Sequence, residues 1–61
     1  MNILSKKRAL VNEVCENISD AICLIVMDMD QEQNQEQWQL KQNILTALVQ
    51  SRLDLRKLAA D

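Results

Sequence analysis

The 61-residue sequence contains no glycine and no proline, the two residues on which tight turns and sharp chain reversals depend. It also contains no phenylalanine and no tyrosine, and Trp38 is its one aromatic residue. An all-β fold needs several turns and favours aromatic and β-branched side chains. Leucine, alanine, isoleucine, glutamine, glutamate, lysine and arginine dominate instead, and most of them are good helix formers. The composition predicts an all-α fold, with residues 1–61 forming one small domain.

Histidine is absent as well, which removes the commonest general base and a common metal ligand. The serine and threonine residues have no partners for a nucleophilic triad, and no glycine-rich loop could hold a phosphate. Cys15 and Cys23 do not have the spacing of zinc ligands. The carboxylates from Asp28 to Glu36 lack the glycine and the acidic spacing of a calcium-binding loop. We therefore expect no enzymatic activity, no catalytic or metal site, no cofactor and no small-molecule substrate.

Charge, apolar runs and cysteines predict the compartment. The net charge is -2, and the longest apolar run, AICLIVM at residues 21–27, is far shorter than the ~20 residues of a membrane span. No signal peptide is recognisable at the N-terminus. On one helix, Cys15 and Cys23 would lie ~12 Å apart, too far for a disulfide. We expect a cytoplasmic protein with reduced thiols and no membrane contact. Cys15 is interpreted as a small core residue, and a redox role for Cys23 is the less favoured alternative.

Apolar residues recur at helical spacing in both halves of the chain. The first series predicts an amphipathic helix over about residues 3–29, and the second predicts another over about residues 34–59. Lys41, Ser51 and Arg52 fall within or beside the second face, so this face is less regular. The first seam consists of Leu4, Val11, Cys15, Ile18, Ile22, Ile25 and Met29, and the second face of Leu40, Ile44, Ala47, Leu48, Leu55, Leu58 and Ala59.

Helix-capping residues predict a turn between the two helices. Asp30 with Gln33, and Asn34 with Gln37, have the spacing of a capping box. The resulting structure would be an antiparallel helical hairpin. The alternative is one continuous helix of more than about 50 residues, because no glycine or proline forces a break.

The run AICLIVM is apolar on every side of a helix and must therefore be buried on every side. One partner helix covers only one side, so the remaining sides require another chain. Two hairpins related by a two-fold axis would form a four-helix bundle. We therefore expect a homo-oligomer, most simply a homodimer. The expected interface residues are Ile18, Ile22, Cys23, Ile25, Val26 and Met27.

The basic residues concentrate at the two ends of the chain, which an antiparallel hairpin would bring together, whereas the carboxylates from Asp28 to Glu36 would lie at the turn. A basic end could bind nucleic acid, although no aromatic residues are interleaved with the cations. Trp38 would either cover the end of the bundle or anchor a partner. The candidate contacts with a partner or an anion are Lys6, Lys7, Arg8, Trp38, Arg52, Arg56 and Lys57.

The opening MNILSKKRALVNEVC, the chain length and the helix-forming composition resemble the short accessory proteins encoded in the early exo-to-xis region of lambdoid phages. This resemblance implies a non-enzymatic regulatory protein in the host cytoplasm. Such a protein binds host proteins and thereby alters host physiology or the balance between lysis and lysogeny. Small helical kinase inhibitors and secretion co-chaperones fit the same outline. The leading hypothesis is a protein–protein interaction function, and nucleic-acid binding is the alternative.

Overall fold

The computed structural model describes residues 3–60, which form two α-helices joined by a short connection. Helix α1 spans Ile3–Gln31 and helix α2 spans Gln35–Ala60, with no strand among the described residues. Cys15 contacts Arg52 near the middle of the pair, and Asp28 contacts Lys41 near the turn. The helices therefore run antiparallel. The predicted all-α hairpin is confirmed, and the alternative of one continuous helix is wrong.

Asn34 caps the second helix and so defines the turn. Its side-chain Oδ1 accepts a hydrogen bond from the backbone amide of Gln37 at 3.0 Å, which satisfies one of the unpaired amides at a helix start. The predicted pairing of Asn34 with Gln37 is therefore present. The backbone amide of Asn34 donates to Glu32 Oε2 at 3.1 Å, so Glu32 takes the place of the Gln37 side chain in the predicted box.

The helix ends differ slightly from the predicted ones. Helix α1 continues to Gln31, past the predicted end at about 29, so Asp30 lies inside α1 and does not cap α2. The amide of Glu32 still donates to the carbonyl of Met29, which closes the last turn. Helix α2 begins at Gln35, immediately after its cap. The domain predicted for residues 1–61 includes 1–2 and 61, which lie outside the described residues.

The predicted seam of α1 faces α2 along most of its length. Val11 and Cys15 are each only 6% exposed and are the buried apolar residues of the described chain. The interpretation of Cys15 as a core residue is confirmed. Leu4, at the start of the predicted seam, is exposed. The half-buried seam residues that follow are Ile18, Ile22, Ile25 and Met29.

The predicted apolar face of α2 is confirmed at Leu48, Leu55 and Ala59, which are half-buried, and is wrong at its other members, which include the exposed Ala47. Leu40, Ile44 and Leu58 were expected to pack on α1, but each is exposed. The side of α2 that packs on α1 includes Lys41 and Arg52, whose charged groups bind partners on α1. Their aliphatic stems can cover apolar surface while their heads stay paired. The less exposed residues on this side are Lys41, Leu45, Leu48, Arg52, Leu55 and Ala59.

The hairpin is long and thin, with principal-axis extents of 49 × 15 × 10 Å. Two buried apolar residues provide little hydrophobic stabilisation, because each contributes roughly 1.5–3 kcal/mol when fully buried. Chains of this length usually need oligomerisation, a metal or disulfides to reach a useful stability. Both cysteines are free, so no disulfide supplements this core.

Candidate protein-interaction surfaces

Large apolar side chains on the outside of the hairpin far outnumber those in its core. Leu10, Val14 and Leu24 of α1 are exposed, as are Leu40, Ile44 and Leu58 of α2. The other exposed large apolar residues are Ile3, Leu4, Val26, Met27, Trp38 and Leu53. Exposed single leucines are normal on proteins, but a contiguous exposed patch marks an interaction site. The first six side chains form such a patch only if they lie together.

Their sequence positions place them on one broad side of the hairpin. On α1, the residues directly before the seam residues 11, 15 and 25 are Leu10, Val14 and Leu24. On α2, the residues directly before the inward residues 41, 45 and 59 are Leu40, Ile44 and Leu58. One position back along a helix is a rotation of about 100° about its axis. Because the two helices run in opposite directions, this rotation brings both sets to the same side of the pair. We call these six residues the apolar face.

The opposite broad side is more polar and is formed by residues that follow a seam residue by one position. It contains a shallow groove in the half of the molecule away from the turn, where Arg52 Nη1 donates to Ser19 Oγ at 2.9 Å. Polar and charged side chains dominate the lining of this groove, which consists of Asn12, Cys15, Glu16, Ser19, Asp20 and Arg56. The apolar side is not free of polar residues, because others also precede an inward residue by one position: Asn17, Asp28, Ser51 and Asp54.

The structure divides the six residues predicted to form the oligomer interface into two groups. Ile18, Ile22 and Ile25 are half-buried in the seam between α1 and α2. Cys23, Val26 and Met27 are exposed, and they lie away from α2 or on the more polar broad side. The six therefore do not form one continuous surface, and whether the exposed three contact another chain stays a prediction. The reasoning from sequence missed the apolar face because it placed Leu40, Ile44 and Leu58 in the interior.

Lys41 forms an ion-pair cluster beside the turn. Its Nζ lies 2.8 Å from Asp28 Oδ2 and 2.6 Å from Glu32 Oε1. Hydrogen bonds to Asp28 and Glu32 raise the pKa of Lys41 above 10.5. The hydrogen bond from Lys41, together with that from the Asn34 amide, lowers the pKa of Glu32 below 4.5. The cluster ties α1 to α2 at the turn and leaves Asp30 and Glu36 without an ion-pair partner among residues 3–60.

Trp38 lies one turn into α2, next to the connection between the helices. It is 39% exposed, and it lines a shallow depression with residues 32–35. A partly covered tryptophan beside a depression is compatible with both predicted roles, covering the end of the bundle and anchoring a partner.

The antiparallel hairpin brings the N-terminus of α1 and the C-terminus of α2 to one end, here called the open end. Lys6, Lys7 and Arg8 lie there with Arg56 and Lys57, and no carboxylate occurs within 3–10 or 55–60. Arg52, which was predicted to belong to this group, lies further along the hairpin and donates to Ser19. The open end is therefore net basic, although Arg56 also lines the groove with Glu16 and Asp20, and Asp54 directly precedes this segment.

Metal ions need several ligand side chains placed close together. Residues 3–60 contain no group of three or more potential ligands placed to hold a metal ion. The thiol of Cys15 donates weakly to the carbonyl of Arg52, with 3.9 Å between the two atoms, and Cys23 is exposed. Neither helix, over the described residues, is both long enough and apolar enough to cross a bilayer.

Comparisons of the chain with protein-family models, with curated proteins and with solved structures found no match. The apolar face, the basic open end and the acidic turn therefore carry the functional argument by themselves.

Proposed function

We propose that the chain is a non-enzymatic protein–protein interaction protein that works as a homodimer in the cytoplasm. One observation carries the proposal: the described chain buries two apolar residues and exposes six on a single broad side. A hairpin with so small a core gains stability when a second chain covers that side. Two hairpins packed in this way would form the four-helix bundle predicted from the sequence.

Regulation of a host protein is the biological role that the resemblance to lambdoid phage accessory proteins implies, and we propose it as the wider function. In the homodimer the apolar face would be covered. A further partner would then bind the surfaces that remain, which include Trp38 beside the turn and Met27 on the outer side of α1.

Sedimentation of the wild type and of two charge variants over a hundredfold dilution tests the homodimer. Ile44→Glu places a carboxylate in the apolar face, whereas Thr46→Glu adds the same charge on the outer side of the same helix, where Thr46 is exposed. We expect Ile44→Glu to raise the dimer dissociation constant by at least about a hundredfold, because each buried unpaired carboxylate costs several kcal/mol.

Thr46→Glu should sediment like the wild type. A wild-type chain that remains a folded monomer at micromolar concentrations would refute the proposed homodimer. Equal sedimentation of the two variants would show that the apolar face is not its interface.

Nucleic-acid binding is a second candidate function, and the convergence of five basic residues on the open end favours it. Titration of DNA and RNA at low and high salt is the appropriate test, since binding through phosphates must weaken steeply as salt rises. The variant Arg8→Glu should weaken such binding and reduce its salt dependence without changing the hairpin, because Arg8 is exposed. Absence of binding at low salt eliminates this candidate.

A further inference from the structure

We propose that the second copy of the chain packs on the apolar face head to tail, so that the basic open end of each copy lies beside the acidic turn of the other. This inference rests on the proposed homodimer and adds its interface and its orientation. The two-fold axis would then run perpendicular to the long axis of the hairpin. In the other symmetric arrangement, head to head, the axis runs along the hairpin and both turns lie at the same end.

The size of the broad side that carries the apolar face suits a partner as large as a second copy. The two longer extents of the hairpin, 49 and 15 Å, enclose roughly 700 Å². Stable protein interfaces bury about 800 Å² on each partner. A peptide strand or a single short helix would leave much of this surface exposed, whereas a second hairpin has the same length and width.

The apolar residues form two clusters that a two-fold axis across the middle would place against each other. Leu10, Val14 and Leu58 lie nearer the open end, and Leu24, Leu40 and Ile44 lie nearer the turn. In the head-to-tail arrangement the first cluster of one copy faces the second cluster of the other. In the head-to-head arrangement each cluster faces its own equivalent, so the apolar contacts alone do not select between the two.

The charges select the head-to-tail arrangement. Five cations at the open end would lie beside five more in a head-to-head dimer, within the ~10 Å over which exposed charges interact at 0.1 M salt. At the turn, Lys41 is already paired with Asp28 and Glu32, and Asp30 and Glu36 keep the net charge negative. Head-to-tail packing places this acidic turn beside the cations of the other copy. Like charges are separated and opposite charges are brought together.

The distance between the two turns distinguishes the arrangements. Gln33 lies in the exposed connection and is changed to cysteine, which carries the spin label. The exposed Cys23 is changed to serine so that it takes up no label, and Cys15 is retained because it is buried. Helix α1 has 29 residues, so the labels should lie on the order of 40 Å apart in a head-to-tail dimer. In a head-to-head dimer they should lie within ~20 Å, since packed helix axes are 8–10 Å apart. The Cys23→Ser protein without Gln33→Cys should take up no label.

A cross-linking experiment identifies the face. In the same Cys23→Ser background, Ala47→Cys lies near the middle of the apolar side of α2, and Leu53→Cys lies on the opposite broad side. Helix α2 faces α2 of the second copy only in the head-to-tail arrangement. A short bis-maleimide should therefore join two Ala47→Cys chains at least ten times faster than two Leu53→Cys chains.

The outcomes test the orientation of the two copies, the face through which they pack and the homodimer itself. A distance near 40 Å with cross-linking at Ala47→Cys supports the inference. A distance below ~20 Å, or faster cross-linking at Leu53→Cys, overturns it and leaves the homodimer intact. A monomer in sedimentation, with no dipolar coupling between labels, overturns the inference and the proposed homodimer together.

Discussion

At the scale of single residues, Lys41 shows how a charged side chain is accommodated between two helices. Its ammonium group is held by Asp28 on α1 and by Glu32 in the connection, at 2.8 and 2.6 Å. The carboxylate of Asp28 remains largely exposed, so this contact is screened by solvent and contributes little alone. Glu32 also accepts the backbone amide of Asn34 and thereby joins the ion pair to the helix cap. The two interactions should respond to pH together.

The variant Glu32→Gln tests this coupling. The folded chain lowers the pKa of Glu32 below 4.5, so its contribution to stability is fully present above that pH and is lost as the pH falls through the lowered value. The raised pKa of Lys41 acts in the opposite direction: its contribution is present below pH 10.5 and is lost as the pH rises through the raised value. We expect the melting temperatures of wild type and Glu32→Gln to differ near neutral pH and to converge well below pH 4.5.

Asp30→Asn is the matched control, because Asp30 is an exposed carboxylate near the turn without an ion pair in the described chain. Its melting temperature should follow that of the wild type near neutral pH. A Glu32→Gln curve that runs parallel to the wild type at every pH would contradict the role given to Glu32. All comparisons require equal protein concentration, since a dimer melts in a concentration-dependent way.

At the scale of the elements, the turn depends on the Asn34 cap rather than on glycine or proline. Asn34 accepts the Gln37 amide at 3.0 Å, while its carbonyl accepts the Trp38 amide at 2.9 Å and starts the regular hydrogen bonding of α2. No residue within 3–60 has a positive φ, so this reversal imposes none of the strain that glycine would relieve. A chain without glycine can therefore turn here.

Replacement of the cap should loosen the second helix. Asn34→Ala removes the side-chain acceptor, and we expect it to lower the free energy of unfolding by about 1 kcal/mol. Asn34→Asp keeps an acceptor at the same place and should cost much less. Denaturant unfolding at fixed protein concentration, followed by circular dichroism, measures both. Equal destabilisation by the two variants would show that the side-chain acceptor at residue 34 is not what stabilises the turn.

The two helices differ in how well the sequence predicts which side packs inward. The α1 seam contains apolar residues and one cysteine, so its spacing alone identifies most of it. On α2, the inward side contains Lys41 and Arg52, which hydrophobic periodicity assigns to solvent. Their partners on α1, Asp28 and Ser19, become identifiable only once the antiparallel register is known. The neighbouring leucines were consequently assigned to the interior, and the exposed apolar face could not be foreseen.

At the scale of the whole molecule, shape and charge act together. The hairpin is elongated, has opposite charges at its two ends and has one apolar side. We propose the head-to-tail dimer because it suits the length, the charges and the apolar side together. The proposed head-to-tail packing would cover the apolar side and would place opposite charges beside each other at both ends. It would also leave the outer side of α1, with Met27 and Cys23, open to other proteins. Assembly and recognition would then use different surfaces of the same chain.

The two candidate interfaces can be separated by substitutions within one stretch of α1. Ile25 is half-buried in the seam, so Ile25→Asp should unfold the protein. A buried unpaired carboxylate costs several kcal/mol, and the total free energy of unfolding of so short a chain is little larger.

Met27 is 65% exposed and lies away from the apolar face. If the second copy occupies the apolar face, Met27→Asp should leave stability within about 0.5 kcal/mol of wild type. If the dimer instead forms through the outer side of α1, Met27→Asp should make helicity fall strongly on dilution. Circular dichroism of both variants across a hundredfold dilution distinguishes these outcomes, and concentration-dependent helicity in Met27→Asp would move the dimer interface from the apolar face to the outer side of α1.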